Sequence, residues 1–407
     1  MSLTGKSGQF LAITALAVGA AGAAAPFAQT AAHATAPAVQ TAAPHVPLCA
    51  GLTVVTAVSQ PEGDYESIKR VESVAPDRVR IKYSAEVMVK DELSDEPPQL
   101  AHYTTYRSVR RADLASSTVY DQQFYDPMPE VIPGTTAIGT STAVLQQLKL
   151  RGQSPFSIFI AFSGEPTLNP DDLLYVFNNK MDSTITRVER EPVSVPVLLN
   201  DVPVRLPAIH AKGDFQGDLT ELYFLDDPAN PITLQYRFGV GSLRHVEGDR
   251  IVAGSESGRQ DRDVFQVVKI FTHCDADSAA AAPSALEESL AKTGKALVYD
   301  IYFAFNSATL RPESDPSLRE IATALQRHPG WKLDVSGHTD NIGGDNANLM
   351  LSRQRAAAVK AALTARFRVD PQRLATSGYG ASRPQDTNAT LEGRARNRRV
   401  ELIRETN

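Results

Sequence analysis

Between Arg78 and Lys90 apolar and polar positions alternate. Val79, Ile81, Tyr83, Ala85, Val87 and Val89 face one way, and Arg78, Arg80, Lys82, Glu86 and Lys90 the other. A period of two marks a half-buried strand, so this run predicts a long one. Ile232, Leu234, Tyr236, Phe238 and Val240 repeat the pattern. VPVLLNDVPVRLPAI reads as two short strands joined by a tight turn at Asn200 and Asp201. TELYFLDDPANPITL reads as two more, joined through residues 227–231. Helical periodicity is thin here, and STAVLQQLKLRG is its best representative. Residues 48–275 therefore predict an antiparallel β-rich domain.

Beyond residue 275 the pattern changes. DADSAAAAPSA has no face to bury and LEESLAKTGK is a short helix, so residues 276–294 read as a linker with a helix. From 295 to 407, strand and helix alternate. ALVYDIYFAF is a strand, and SDPSLREIATALQRHPG a helix with Asp315 as N-cap, Pro316 at its first position and Gly330 beyond its end. WKLDVSG is a strand, residues 345–365 a long helix, RLATSGYG a strand, and RARNRRVELIR a helical turn entering a last strand. That order predicts an α/β sandwich of minimal domain size, and a two-domain chain.

The long helix carries an anomaly. Leu349, Leu351, Ala356, Ala358, Val359, Ala362 and Leu363 gather on one face, and Arg355 projects from the same side. A guanidinium there is costly unless paired. The nearest candidate carboxylate is Asp340, at a strand end just before Gly343 and Gly344, where α/β folds place ligand sites. Thr339 and Asn348 are hydrogen-bonding neighbours. Arginine grips a carboxylate two-pronged and aspartate takes an ammonium, so the pair describes a receptor for a zwitterion such as the free end of a diamino acid. The alternative is an internal Asp340–Arg355 salt bridge that only holds the helix.

Composition narrows the setting. The chain has 407 residues, a formal net charge of −6 and 42% hydrophobic residues, which argues against global disorder and against nucleic-acid binding. Lys6, the small-residue apolar stretch from Phe10 to Phe27 and the AHA at 32–34 read as an export signal over residues 1–34, with a retained membrane anchor as the alternative. Residues 35–47 are an Ala/Pro tether. In an oxidising compartment Cys49 and Cys274, the chain's two cysteines, predict a disulfide stapling the β-rich domain's ends; otherwise they are two buried thiols. On the chain-entropy model so long a loop contributes about 5 kcal/mol. Leu48 before Cys49 excludes a lipoprotein site, which needs a small residue there.

Four motifs in order carry a resemblance: FNSATLRPES, GHTD, NLMLSRQRA and GRARNRRVEL. Residues 296–407 resemble the OmpA-like peptidoglycan-binding domain family. The resemblance implies a βαβαβ sandwich that binds the cell-wall stem peptide non-covalently through meso-diaminopimelate. Asp340 would receive the amino group and Arg355 the carboxylate, with Asn348, Thr339 and Arg398 lining the pocket. It implies a periplasmic or outer-membrane-associated location in a Gram-negative envelope, with an outer-membrane or envelope protein as a further partner through residues 48–275. One departure stands out. The family often has an acid two residues before the asparagine of FAFN, where this chain has Ala304.

Other signals are weaker. His338 and Asp340 form H-x-D without a third ligand at metal spacing, so no metal and no cofactor is expected. Arg394–Arg399 mixes solvated charges with Arg398. Ser141 in GTSTA and Ser154 in GQSPF lack the second glycine of a nucleophile elbow, and no catalytic constellation emerges. Two alternatives to a wall-binding module remain: an outer-membrane β-barrel over residues 49–275 with the wall domain below it, and an envelope enzyme with an unrecognised N-terminal site. The Ala304 departure yields a test. Restoring the acid in Ala304→Asp should raise muropeptide affinity, by about 1.5–3 kcal/mol for one charge-assisted hydrogen bond. An unchanged titration would show that position 304 does not touch the ligand.

Overall fold

A computed structural model describes residues 44–60, 63–89, 99–122, 124, 129–159, 180–240, 244–247, 250–253, 263–274 and 283–405. The expected signal, most of the first tether and most of the second linker lie outside them. The alternating runs form the strands expected of them. From the edge strand Gln99–Arg110 the sheet runs through Arg78–Val89, Gly63–Val74 and Leu52–Gln60 to Asp263–Thr272. It continues through Thr233–Phe238, Asp218–Leu225, Val202–Phe215 and Lys180–Arg187 to Gln153–Phe159, all antiparallel. Val193–Leu199 turns into Val202–Phe215 through Asn200 (φ 49°) and Asp201 (φ 65°), two left-handed residues that match the twist of a tight hairpin. Val193–Leu199 also lies parallel to Asp263–Thr272.

Two apolar clusters fill this part. One gathers Val54, Val79, Ile81, Val109, Leu206, Leu234 and Ile270. The other forms under the Thr142–Arg151 helix, where Val144, Leu145 and Leu148 meet Phe156, Ile185, Phe215 and Phe224. Ser141 is that helix's N-cap, accepting from the Val144 amide at 3.3 Å. Ser154 donates to the Gln147 side chain at 3.2 Å. Cys49 and Cys274 form a disulfide, Cα to Cα 5.4 Å, closing the part from its first strand to its last.

The C-terminal α/β region has a four-stranded sheet in the order Lys295–Val298, Val400–Arg404, Leu333–Gly337, Leu374–Gly378, the last pair parallel and the others antiparallel. The Asp315–Arg327 and Asp345–Phe367 helices bury Leu318, Ile321, Leu325, Val359 and Leu363 against Leu333, Val335 and Leu402.

Three local expectations need correction. The helix expected to be capped by Asp315 starts at Asp315, after a 3-10 turn at Pro312–Ser314. A short helix at Arg111–Ser116 had no periodic signature. The predicted strand ALVYDIYFAF stops at Val298, because its later amides bond elsewhere: Tyr299 to the Asp201 carboxylate (3.1 Å), Tyr302 to the Ser314 hydroxyl (2.8 Å), and Phe305 to the Glu86 carboxylate.

Glu86 exposes a fourth discrepancy. Alternation puts it on the water-facing side of Arg78–Val89, yet it is buried, as is Ser84. The α/β region covers that face. Val55, Ala57, Ile68, Leu198, Val268 and Phe271 of the β-rich part share one apolar cluster with Tyr299, Tyr302 and Ala395. A membrane barrel needs an outward apolar band. Here the apolar residues of that face are covered by a second region of the same chain, and Glu66, Glu86 and Lys269 lie under it beside them.

Gly337 ends the strand on which the site is built, and a Cβ there would meet the Ser352 carbonyl oxygen of the long helix at 2.2 Å. The lack of a side chain sets how closely helix and strand approach. Gly337→Ala should therefore lower stability by about 1–3 kcal/mol, as overpacking does, read as a shifted urea midpoint. An unmoved midpoint would show that the helix has room to yield.

Candidate functional site

The site forms where the Leu333–Gly337 strand hands over to the Asp345–Phe367 helix. Three local bonds shape the loop between them. The Thr339 amide donates to the Gly380 carbonyl (3.0 Å), and its hydroxyl to the Asp340 carbonyl (2.8 Å). Asp340 Oδ1 accepts from the Ile342 amide (3.0 Å), a turn aspartate commonly makes. Asn348, buried in the first turns of the helix, donates from Nδ2 to the Asp340 and Ile342 carbonyls at 3.3 and 3.1 Å. Thr339 and Asn348 thus hold the loop that presents the Asp340 carboxylate.

The carboxylate's partner is Arg398, whose Nη1 donates to Asp340 Oδ2 at 2.7 Å. Arg398 follows the Leu391–Asn397 helix, which Thr390 caps by accepting from the Gly393 amide at 3.2 Å. The Asp340–Arg355 salt bridge that spacing allowed is not the pairing found. Arg355 instead donates from Nε to the Ser307 carbonyl at 3.0 Å, and its guanidinium carbon lies 5.0 Å from the Phe303 ring centroid. All five residues that the sequence singled out therefore sit around one loop and its neighbouring helices, in two roles. Asp340, Arg355 and Arg398 carry charge, while Thr339 and Asn348 position backbone.

Sequence reading missed residues of the β-rich part. Glu66, on the Gly63–Val74 strand, bonds Arg398 Nη2, and its other oxygen lies 3.5 Å from Lys269 Nζ. Lys269 Nζ in turn lies 5.7 Å from the Tyr302 ring centroid. Glu86 accepts from the Phe305 amide near Arg355's partner Ser307. The available signal was weak: Glu66 shares a strand face with Ile68, two residues on, and a carboxylate beside an apolar residue on one face has no evident reason to be dry.

Electrostatics follow from that burial. Burial acts to raise the Glu66 pKa, but Arg398 and Lys269 overcome it and pull it down to about 2. Burial acts to lower the Arg398 pKa, and Glu66 and Asp340 hold it above the ordinary arginine value. Arg355 is pushed down to about 10, first by burial and then by Arg398, with Asp340, Glu66 and Glu86 opposing. His338, behind the loop, is buried against Tyr379 with its Nε2 3.6 Å from Glu401, and burial followed by Arg399 lowers it to about 4. Among the described residues no His, Cys, Asp and Glu group is arranged to hold a metal ion.

Comparison with known proteins places this region. Residues 302–398 match the model of the OmpA family. The chain is 41% identical over 103 residues to the probable lipoprotein YiaD of Escherichia coli, covering 25% of this chain and 47% of that one. It is also 41% identical over 103 residues to the peptidoglycan-binding protein ArfA of Mycobacterium bovis, covering 25% of this chain and 31% of that protein. The chain thus spans less than half the length of either relative. The solved peptidoglycan-associated lipoprotein of Burkholderia pseudomallei aligns at 28% identity over 26% of this chain and 88% of that one, with a TM-score of 0.24.

The buried histidine gives a pH prediction. Its folded pKa of about 4 lies below the ordinary 6.5, so between those values the unfolded chain binds a proton that the folded chain refuses. His338 therefore takes stability away as pH falls from 6.5 towards 4, up to about 3 kcal/mol, and takes none above that window. His338→Phe should flatten the acid limb of urea-unfolding stability against pH. An identical slope in both proteins would exclude His338 as its source.

Proposed function

With residues 302–398 belonging to the OmpA family, we propose that this region binds peptidoglycan without covalent chemistry and fixes the chain to the cell wall. The ligand is the free end of the stem-peptide diamino acid, meso-diaminopimelate, with Arg355 taking its carboxylate and Asp340 its ammonium. Arg398 stands beside both, and Thr339 and Asn348 hold the loop in shape. One observation carries the reading: Arg355, on the inward side of the helix, has a backbone carbonyl rather than a carboxylate as its hydrogen-bond partner, beside an aspartate already presented at the same lip. A part-buried guanidinium in that state gains from an arriving anion. The name of the relative ArfA, a peptidoglycan-binding protein, supports the same ligand class.

The role is binding rather than catalysis. Ser141 serves as a helix cap and Ser154 bonds a neighbouring glutamine, uses that fit ordinary hydroxyls. The setting is the envelope of a Gram-negative bacterium, where the exported β-rich part, or an outer-membrane or envelope protein bound to it, is tethered to the wall.

Sedimentation with purified sacculi tests this. Removing one end of the recognition in Arg355→Ala or Asp340→Ala should cost about 1.5–3 kcal/mol, a tenfold or greater loss of bound protein at subsaturating sacculi. Retention equal to that of the unaltered chain would reduce both residues to scaffolding.

A further inference from the structure

We propose that the β-rich part gates the wall site: the Gly63–Val74 strand delivers the Glu66 carboxylate to Arg398 in the place of a ligand's acidic group, so the arrangement seen is a closed form that the wall ligand must open. This rests on the wall-binding reading above.

Charge is the first support. Around the site stand the cations Arg355, Arg398 and Lys269 and the anions Asp340, Glu66 and Glu86. While the parts are together, Arg355 and Arg398 have the Glu66 charge beside them as well as Asp340, and Lys269 has Glu66 and Asp300. Glu66, Glu86 and Lys269 all belong to the β-rich part. When that part withdraws, Arg355 and Arg398 face Asp340 alone, an excess positive charge that a carboxylate ligand satisfies. Glu66 and such a ligand therefore compete for the positive charge that Arg398 and Arg355 share, Glu66 through its bond to Arg398 and its field at Arg355.

Geometry is the second. The closed contact reaches the site's other rim, where Glu86 takes the Phe305 amide two residues before Ser307, which holds Arg355. Arg311 Nη2 donates to Ser84 Oγ at 3.1 Å, and Gln266 Nε2 donates to Glu392 Oε2 at 3.1 Å. Strands of the β-rich part thus hold the α/β region at Arg311 and Glu392 as well as at Arg398 and Phe305.

Reversibility is the third. The same contact part-buries Asp201, which accepts from the Tyr299 amide at 3.1 Å and feels the charge of the buried Asp300. Burial raises both pKa values, and repulsion from Asp300 raises that of Asp201 further, with the Tyr299 amide bond and Lys269 opposing and Glu320 adding to it. Two carboxylates brought together out of water oppose closure, which keeps the closed form within reach of opening.

The test titrates the full chain by calorimetry with a disaccharide tripeptide ending in meso-diaminopimelate. Apparent affinity scales with the open fraction, so Glu66→Gln should bind at least about tenfold tighter than the unaltered chain, and Glu86→Gln should shift the same way. Hydrogen exchange of the 299–306 peptide, whose Phe305 amide is covered by Glu86, should speed up when the muropeptide is added. Unchanged or weaker binding by Glu66→Gln, with Arg355→Ala weaker still, would overturn the gate and leave the wall site standing, with a weaker result making Glu66 part of the ligand site. If neither the unaltered chain nor Glu66→Gln binds the muropeptide, gate and wall reading fall together.

Discussion

A guanidinium shielded from water must keep a counter-charge, and Arg398 draws two of them from distant parts of the chain. Asp340 comes from the loop beside the long helix, 58 residues earlier, and Glu66 from a strand 332 residues earlier. Removing either leaves a partly buried charge short of a partner, which costs several kcal/mol where solvent is excluded. The site and the contact between the two parts of the chain therefore share one electrostatic account. A change in either is felt by the other.

The scaffold serves that account by bringing backbone close to backbone. Gly337 lets the long helix approach the strand end, and the Ser352 hydroxyl fastens the approach by accepting from the Gly380 amide at 2.9 Å. Gly378, at the end of the neighbouring parallel strand, lies as close to the Arg353 amide nitrogen, 2.4 Å from where a Cβ would stand. Two glycines on adjacent strand ends seat the middle of the helix, and Arg355 lies on the turn so seated. The lip is thus fixed by sterics before its charges act.

Much of this was legible in the sequence, unevenly. Caps, alternation and turn residues are local, so the Thr142–Arg151 and Asp345–Phe367 helices and the Asn200–Asp201 turn could be read directly. The cluster of Asp340, Asn348 and Arg355 was legible because strand end and helix are contiguous. Glu66 and Glu86 were not. Alternation identifies which side of a strand is polar, and a polar side reads as solvated unless the covering element is known. The same limit explains residues 299–305, apolar enough for a strand, whose amides went to Asp201, Ser314 and Glu86. Side chains from elsewhere outcompeted the sheet ladder, and no local pattern encodes them.

Covalent connection sets how far the two parts can separate. The Cys49–Cys274 bond holds both ends of the β-rich part together, so the chain leaves it from one place. Ten residue steps separate Cys274 from the helix cap at Ser284, and a chain of that length reaches at most about 35 Å. Opening requires the Glu66 strand to withdraw from Arg398. The apolar cluster of Tyr299, Tyr302 and Ala395 against Ile68 and Phe271 would then lose its cover. Exposing it opposes opening, as the Asp201 and Asp300 carboxylates oppose closing. The balance between these two terms, rather than the strength of the Glu66–Arg398 pair alone, decides how tightly a wall ligand must bind to win the site.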